Sequence, residues 1–283
     1  MIKVENLSYT YPSASEEVLH ALNFEINEGE IFGFLGPSGA GKSTTQKVLY
    51  KILNDFKGEI TLKGKPLKKW GAEYFDRIGV GFELPNHYLK LTAKENLELF
   101  ASFYKKDKLL KLDDLFELVG LEDSANQKVE EYSKGMKMRL NFIRAIMHDP
   151  EILFFDEPTA GLDPLNARKI RQHIVDLRNE GKTIFITTHN MNTADELCDR
   201  VSFIVDGSIQ ITAVPSILKH QYGKNTVKVA LKNEETAEFE LETLGTNPQF
   251  LAFIKKDKLL RINTQEATLE EVFIQVTGKA LKV

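Results

Sequence analysis

The sequence is poor in sulfur, with a single cysteine, Cys198, among 283 residues. One thiol forms neither an internal disulfide nor a zinc cage, which excludes a disulfide-stapled secreted fold and fits a reducing cytosol. Long hydrophobic runs are missing as well. Apolar stretches such as those at 152–155 and 184–186 are strand-length and bounded by polar residues. A membrane-spanning helix requires roughly 20 apolar residues in succession. The opening Met1-Ile2-Lys3-Val4-Glu5 lacks the basic-then-apolar pattern of a signal peptide. If the protein works at a membrane, another chain is expected to span it. Excess charge of one sign is also wanting: 37 Lys and Arg stand against 41 Asp and Glu, a net charge of -4 with no basic half. Nucleic-acid binding driven by bulk charge is therefore not expected. What is present, 42% hydrophobic and 28% charged residues, is an ordinary globular composition. A chain of this length buries roughly three quarters of its unfolded surface without staples.

Short β-rich runs alternate with helical patterns, which predicts an α/β domain built on a mostly parallel sheet. Strands are expected at 30–35, 151–156, 183–188 and 201–205. Asp163-Pro164 sets an N-cap acid before a first-turn proline, and Ile170, Ile174 and Leu177 then line one helix face. Residues from about 84 to 150 read as helices inserted into the α/β core. Thr92-Ala93-Lys94-Glu95 is a capping box followed by Leu97, Phe100 and Tyr104, and a second helical run at 113–118 stops at Gly120. Lys105, Lys106, Lys108 and Lys111 read as a solvated face. Past about 220 the pattern changes. Val227, Val229 and Leu231 alternate with polar residues, as do Ala237, Phe239 and Leu241, and a third short strand is expected at 260–262. A second capping box from Thr268 to Glu271 opens a helix that Gly278 closes. These features predict a main domain over 1–220 and a small α+β appendage over 221–283.

Gly36-Pro37-Ser38-Gly39-Ala40-Gly41-Lys42-Ser43-Thr44 matches the P-loop pattern in full. It follows an apolar strand and precedes a helical run containing Val48, Leu49 and Ile52, the context the motif demands. Its glycines let backbone N–H groups converge on phosphate oxygens, and the helix N-terminus adds a favourable dipole. Lys42 is placed for the β- and γ-phosphates and the Ser43 hydroxyl for Mg²⁺. Binding of a nucleoside triphosphate follows. Ile152-Leu153-Phe154-Phe155-Asp156-Glu157 is an apolar strand ending in two acids. Asp156 is placed to hold Mg²⁺ through water. Glu157 is the candidate general base on the attacking water. Two acids merely capping a loop before Pro158 is the alternative, and the full P-loop argues against it.

P-loop and acids together still admit kinases, GTPases, helicases and transport ATPases. Four further elements narrow the choice. Ser133-Lys134-Gly135-Met136 opens a helix whose apolar face runs Met136, Leu140, Ile143 and Met147. Pro158-Thr159-Ala160-Gly161-Leu162-Asp163-Pro164 follows the acids directly, Thr187-Thr188-His189 ends the next strand, and Tyr11 lies upstream of the P-loop. In this order the set resembles the nucleotide-binding subunit of ATP-binding cassette (ABC) transporters over residues 1 to about 220. The resemblance implies an ATPase using ATP and Mg²⁺, with Tyr11 stacking on adenine, Ser133 and Gly135 forming the signature, Asp163 in the D-loop and His189 as the switch histidine. For Tyr11 an ordinary β-region aromatic remains the alternative. The family's signature serine meets the γ-phosphate held by a second subunit's P-loop, so a head-to-tail pair of ATPase subunits is implied, together with a polytopic permease. The loop Leu84-Pro85-Asn86-His87-Tyr88-Leu89 is the candidate docking surface for that permease, with a partly buried turn as the alternative. The expected location is the cytoplasmic face of the membrane, as a peripheral subunit.

The sequence departs from the family pattern in three places. Tyr132-Ser133-Lys134-Gly135-Met136 replaces the usual Leu-Ser-Gly-Gly-Gln, and Lys134 either strengthens anion binding across the dimer or points to solvent. Glu83 stands at the Q-loop glutamine, where a carboxylate can ligate Mg²⁺. Ser38 replaces a frequent asparagine. These departures, and a tail reading Thr268-Leu269-Glu270-Glu271-Val272-Phe273, look like bacterial ABC exporters whose ATPase and permease are separate chains. A soluble ABC-type ATPase acting in translation or DNA repair, and a small-molecule kinase, are the competing readings.

Overall fold

Polar and turn residues cut the apolar runs into short elements, and these assemble as two compact units. The first is Met1–Thr212 and the second begins at Ala213. The computed structural model describes residues 1–223, 226–265 and 267–279. The unit boundary falls ahead of the composition change near His220, because the helix Pro215–Tyr222 goes with the second unit.

In the first unit the strands are β1 (Ile2–Tyr9), β2 (Leu19–Ile26), β3 (Ile31–Leu35), β4 (Lys57–Leu62), β5 (Lys65–Pro66), β6 (Ile78–Gly81), β7 (Ile152–Asp156), β8 (Thr183–Thr188), β9 (Arg200–Val205) and β10 (Ser208–Ala213). They form two sheets. One is antiparallel with order β2-β1-β4-β5, and the other has order β10-β9-β3-β8-β7-β6. In the larger sheet β9, β3, β8, β7 and β6 are parallel, as the βα alternation predicts. β3 and β8 are buried at every residue, the signature of strands with both faces covered. The two sheets meet through aromatic rings. Phe24 of β2 lies 5.4 Å from Phe34 of β3, which lies 5.6 Å from Phe185 of β8. Phe154 of β7 extends the cluster, 6.0 Å from Phe185.

β3 can lie close to its neighbours because Gly33 has no side chain: a Cβ there would stand 2.6 Å from Cys198 Sγ. The thiol fills that space, and burial pushes its pKa up. Register then aligns the strand ends that matter. Leu35 pairs with Thr188, and Asp156 with Thr187, so β3, β7 and β8 finish level. Ligands of open α/β sheets bind in the crevice at such carboxyl ends.

Between β6 and β7 the chain carries α2 (Ala93–Ala101), α3 (Leu112–Leu118) and α4 (Lys134–Ile146), with α1 (Lys42–Leu49) before them and α5 (Pro164–Asn179) and α6 (Met191–Leu197) after. The Thr92 capping box is formed on both sides: Glu95 N–H donates to Thr92 Oγ1 at 3.1 Å, and Thr92 N–H donates to Glu95 Oε2 at 2.7 Å. Ser133 caps α4 by accepting from Met136 N–H, and Asp163 caps α5 by accepting from Asn166 N–H.

The second unit holds α7 (Pro215–Tyr222), β11 (Thr226–Leu231), β12 (Thr236–Glu240), α8 (Pro248–Phe253), β13 (Leu259–Gln265) and α9 (Leu269–Thr277). Its sheet is antiparallel with order β12-β11-β13. Val227, Val229 and Leu231 alternate inward to meet Phe253 of α8. Thr268 and Glu271 form the second capping box, and Gly278 closes α9 at φ +68°.

Phe185→Ala would empty the junction of the two sheets of the first unit. A loss of about 3–5 kcal/mol is expected, read as a lower urea midpoint for the unfolding of that unit.

Candidate functional site

The P-loop occupies the turn from β3 into α1, and its backbone form depends on glycine at two points. Gly41 takes φ +104° as the N-cap of α1. At Gly36 a Cβ would lie 2.1 Å from the Ile204 carbonyl oxygen of β9. A cleft of about 380 Å³ opens above the loop, lined by Val18, Ser38, Gly39, Gly41, Lys42, Ser43, Thr44, Glu83, Asp156, Glu157 and His189. Ten of the residues singled out from the sequence thus meet in one place. Gly36, Pro37 and Ala40 shape the loop from beneath: the Gly36 and Pro37 carbonyls accept from Lys42 Nζ at 2.7 and 3.0 Å, and Ala40 N–H donates to Pro37 O.

Lys42 is buried, and burial lowers its pKa against the opposing pull of Glu157, Asp156 and Glu83. Three carboxylates therefore converge on one ammonium, an arrangement suited to a polyanion only when a divalent cation accompanies it. The oxygen donors Ser43, Asp156 and Glu83 suit a hard cation such as Mg²⁺. Among the described residues no set of three or more His, Cys, Asp or Glu gathers to hold a metal unaided. Mg²⁺ commonly needs only one or two carboxylates when phosphate oxygens supply the rest.

The two acids at the end of β7 are held by β8. Asp156 accepts from the Thr187 hydroxyl. Glu157 has a left-handed backbone at φ +48°, which costs a non-glycine residue about 1–2 kcal/mol. Its carboxylate is pinned in return. Oε2 accepts from Thr188 Oγ1 at 2.8 Å, while Oε1 accepts from His189 N–H at 2.8 Å and from His189 Nδ1 at 2.6 Å. The carboxylate is mostly covered whereas the His189 ring is half exposed, so the imidazole forms the open wall of the cleft.

Tyr11, Ser133, Lys134, Gly135 and Asp163 do not line the cleft. Tyr11 reaches it indirectly, its hydroxyl 3.1 Å from Thr44 Oγ1. Ser133 and Gly135 lie at the start of α4, where a Cβ on Gly135 would stand 3.7 Å from the Gly161 carbonyl. Lys134 is exposed, and its chain passes over Gly161, where a Cβ would meet Lys134 Cε at 2.7 Å. Asp163 is exposed, and its carboxyl is held below the usual range first by the Asn166 backbone bond. Two supports escaped sequence reasoning. Gln46 of α1 donates to the Phe155 carbonyl at 3.1 Å, tying the phosphate helix to the acid-bearing strand. The Thr188 hydroxyl that holds Glu157 is the other. A polar residue in the apolar stripe of α1 was the only available signal for Gln46.

A parallel sheet with a glycine cradle, a buried lysine and paired acids at its carboxyl edge defines a P-loop nucleotide-hydrolysing protein. The comparisons narrow the class. The ABC transporter family model matches residues 19–160. A fluoroquinolones export ATP-binding protein of Mycobacterium tuberculosis is 49% identical over 99% of this chain and 94% of its own length. The bacitracin transport ATP-binding protein of Bacillus licheniformis is 32% identical, covering 98% and 97%. Among solved structures, an ATP-binding cassette dimer in a post-hydrolysis state bound to ADP and Pi superposes with a TM-score of 0.68 at 28% identity, over 76% of this chain and 98% of that one. The chain belongs to the ABC transporter family, as an ATP-binding, ATP-hydrolysing subunit.

Gly36→Ala would drive a methyl group into the Ile204 carbonyl. We expect a destabilisation of about 1–3 kcal/mol from overpacking, with weaker nucleotide binding in a titration with a fluorescent ATP analogue.

Proposed function

We propose that this chain works as one of two head-to-tail ATPase subunits that drive a separate membrane permease for export, with Glu157 as general base and Ser133 and Gly135 as the signature completing the partner's site. The observation that carries this reading is the division of the machinery. Lys42, Ser43, Glu83, Asp156, Glu157 and His189 share one cleft, while Ser133 and Gly135 lie outside it on the first turn of α4. One chain thus offers two half-sites, each with a use only when a second subunit supplies the other half.

In this scheme Gly39, Gly41 and the first turn of α1 give backbone N–H groups to the phosphates. Lys42 turns from the Gly36 and Pro37 carbonyls to the γ-phosphate. Ser43, Glu83 and, through water, Asp156 would hold Mg²⁺, which would neutralise charge on the phosphate oxygens. Glu157 takes a proton from water as the water oxygen attacks the γ-phosphorus, and ADP departs with the bond electrons. His189 and Thr188 hold the carboxylate in line, and the half-exposed imidazole also faces the γ-phosphate. Tyr11, braced on Thr44, stacks on the adenine, and Asp163 fixes the D-loop by capping α5. The Ser133 hydroxyl accepts from its own helix and keeps its proton for an oxygen of the partner's ATP. Loss of that phosphate removes the bridge, and the pair opens.

Among the described residues no helix is long and apolar enough to cross a membrane; in this scheme the permease is a separate chain and this subunit sits peripherally on the cytoplasmic face. Leu84, Tyr88 and Leu89 are exposed beside Glu83, a setting that supports docking of the permease there. The relatives' names, export of fluoroquinolones and transport of bacitracin, support export as the direction. The ATPase work falls to the main domain, 1–220, and the remainder is a C-terminal appendage.

Glu157→Gln should lower turnover by about 10²–10⁴-fold, the usual contribution of a general base, while ATP still binds and a stable ATP-dependent dimer accumulates on size exclusion. Unchanged turnover would remove Glu157 from that role. Ser133→Arg should abolish ATP-driven association of the Glu157→Gln chain, because a long cation would fill the place of the partner's phosphate. Association at the same ATP concentration would refute the signature assignment.

A further inference from the structure

A groove of about 760 Å³ lies behind the loop that begins at Leu84, between β6 and the helices α2 and α4. Its walls are apolar and aromatic, including Phe82, Phe100 and Tyr104, and its rim carries the exposed Leu84 and Tyr88. No Asp or Glu lines it. Arg144 of α4 does, although only 9% of its surface is exposed. Its Nη1 donates to the Asn86 carbonyl at 3.0 Å and its Nη2 to Asn141 Oδ1 at 2.7 Å. The guanidinium also lies over the Phe100 ring at 4.8 Å and the Phe82 ring at 5.9 Å. Every one of these partners is neutral. Among the described residues no carboxylate pairs with it, and burial drags its pKa down to about 10.

The groove's other ionisable bases do not share the charge. His87 donates from Nε2 to the Lys137 carbonyl and His148 to the Ile78 carbonyl. Burial lowers both, His87 to about 4, so both are neutral at pH 7. Arg144 is thus the one full charge among the lining residues. Arginine is the rare residue to bury without an acid, since removing a cation from water costs several kcal/mol unless an opposite charge answers it.

We propose that the permease segment seated in this groove is a short amphipathic stretch that presents one carboxylate, Asp or Glu, to the Arg144 guanidinium while its apolar side chains fill the aromatic walls. This deepens the docking assignment above and rests on it. The energetics favour such an occupant. Most of the dehydration of Arg144 is already met in the free subunit, so the larger part of the remaining cost falls on the incoming acid when the pair forms. A guanidinium with both Nη atoms held and two rings against its faces is fixed in orientation, which lowers the ordering cost of a fork-to-carboxylate contact. A neutral segment would leave the charge as it found it and gain nothing from it.

The test uses the whole subunit co-expressed with the polytopic chain that assembles with it, and compares Arg144→Met, Leu84→Asp and wild type by the affinity of the purified subunit for permease in nanodiscs. Arg144→Met keeps the length of the side chain and removes an unanswered buried charge, so the free subunit should keep or raise its Tm. Its affinity for the permease should fall by at least about 30-fold, as for truncation of one member of a buried charge pair. Neutralising the Asp and Glu residues of the permease's cytoplasmic loops one at a time should find a single position that reproduces this loss with the subunit unaltered. Undiminished affinity of Arg144→Met, with Leu84→Asp binding poorly, overturns the carboxylate pair and leaves docking intact. Full affinity in both variants overturns the docking reading itself. A large fall in the Tm of the free Arg144→Met subunit with no sensitive acid on the permease makes the guanidinium structural and overturns the proposal. Binding of the free subunit to anionic vesicles that Arg144→Met abolishes, again with no sensitive acid, would assign the charge to lipid and overturn it equally.

Discussion

Backbone pairing of Leu35 with Thr188 and of Asp156 with Thr187 sets the ends of β3, β7 and β8 at one level, and the chemistry depends on that alignment. A slip of one residue in any of the three would turn side chains to the opposite face and part the P-loop from its acids. The pairing is secured from below by a core of phenylalanine rings that admits no sliding, and from above by hydroxyls of β8 on the carboxylates of β7. Gln46 adds a rigid link from α1 to the Phe155 carbonyl. The P-loop helix α1 and the acids carried by β7 are therefore parts of one stiff body.

The same body shows where strain is stored. Glu157 has a backbone conformation that other residues avoid, and its carboxylate is held by three donors drawn from Thr188 and His189. Removing donors frees the side chain but leaves the backbone cost in place. A carboxylate so constrained has little entropy left to lose in the general-base role proposed for it, which is how preorganisation lowers a barrier.

Much of this was legible in the sequence because local physics and function coincide there. The P-loop is a run of adjacent residues whose glycines serve the turn and the phosphate alike. Thr92, Ser133, Asp163 and Thr268 announced their helices because capping is a contact between neighbours in sequence. Of the five parallel strands, β3, β7, β8 and β9 were readable as short apolar runs, whereas β6 was not, because Gly79 and Gly81 break its run. The antiparallel sheet was not, because β1 has register shifts on both sides and pairs with β4 across a long separation, so its alternation is broken. The helices α7 and α8 are too short for a periodic signal. Thr188, Gln46 and Arg144 matter through partners distant in the chain. A single sequence marks such residues at most as polar interruptions of an apolar pattern, as Arg144 is beside Ile143 and Leu140.

The contact between Cys198 and Gly33 has a practical side. The chain's one thiol is packed against β3 with its pKa pushed upward by burial, and it is the thiolate that reacts with maleimides and disulfides. To such reagents the folded subunit behaves as a chain without cysteine. A spectroscopic label can thus be attached at a single engineered surface thiol, and the opening and closing proposed for the pair of subunits followed, with the packing beneath the P-loop left as the sequence made it.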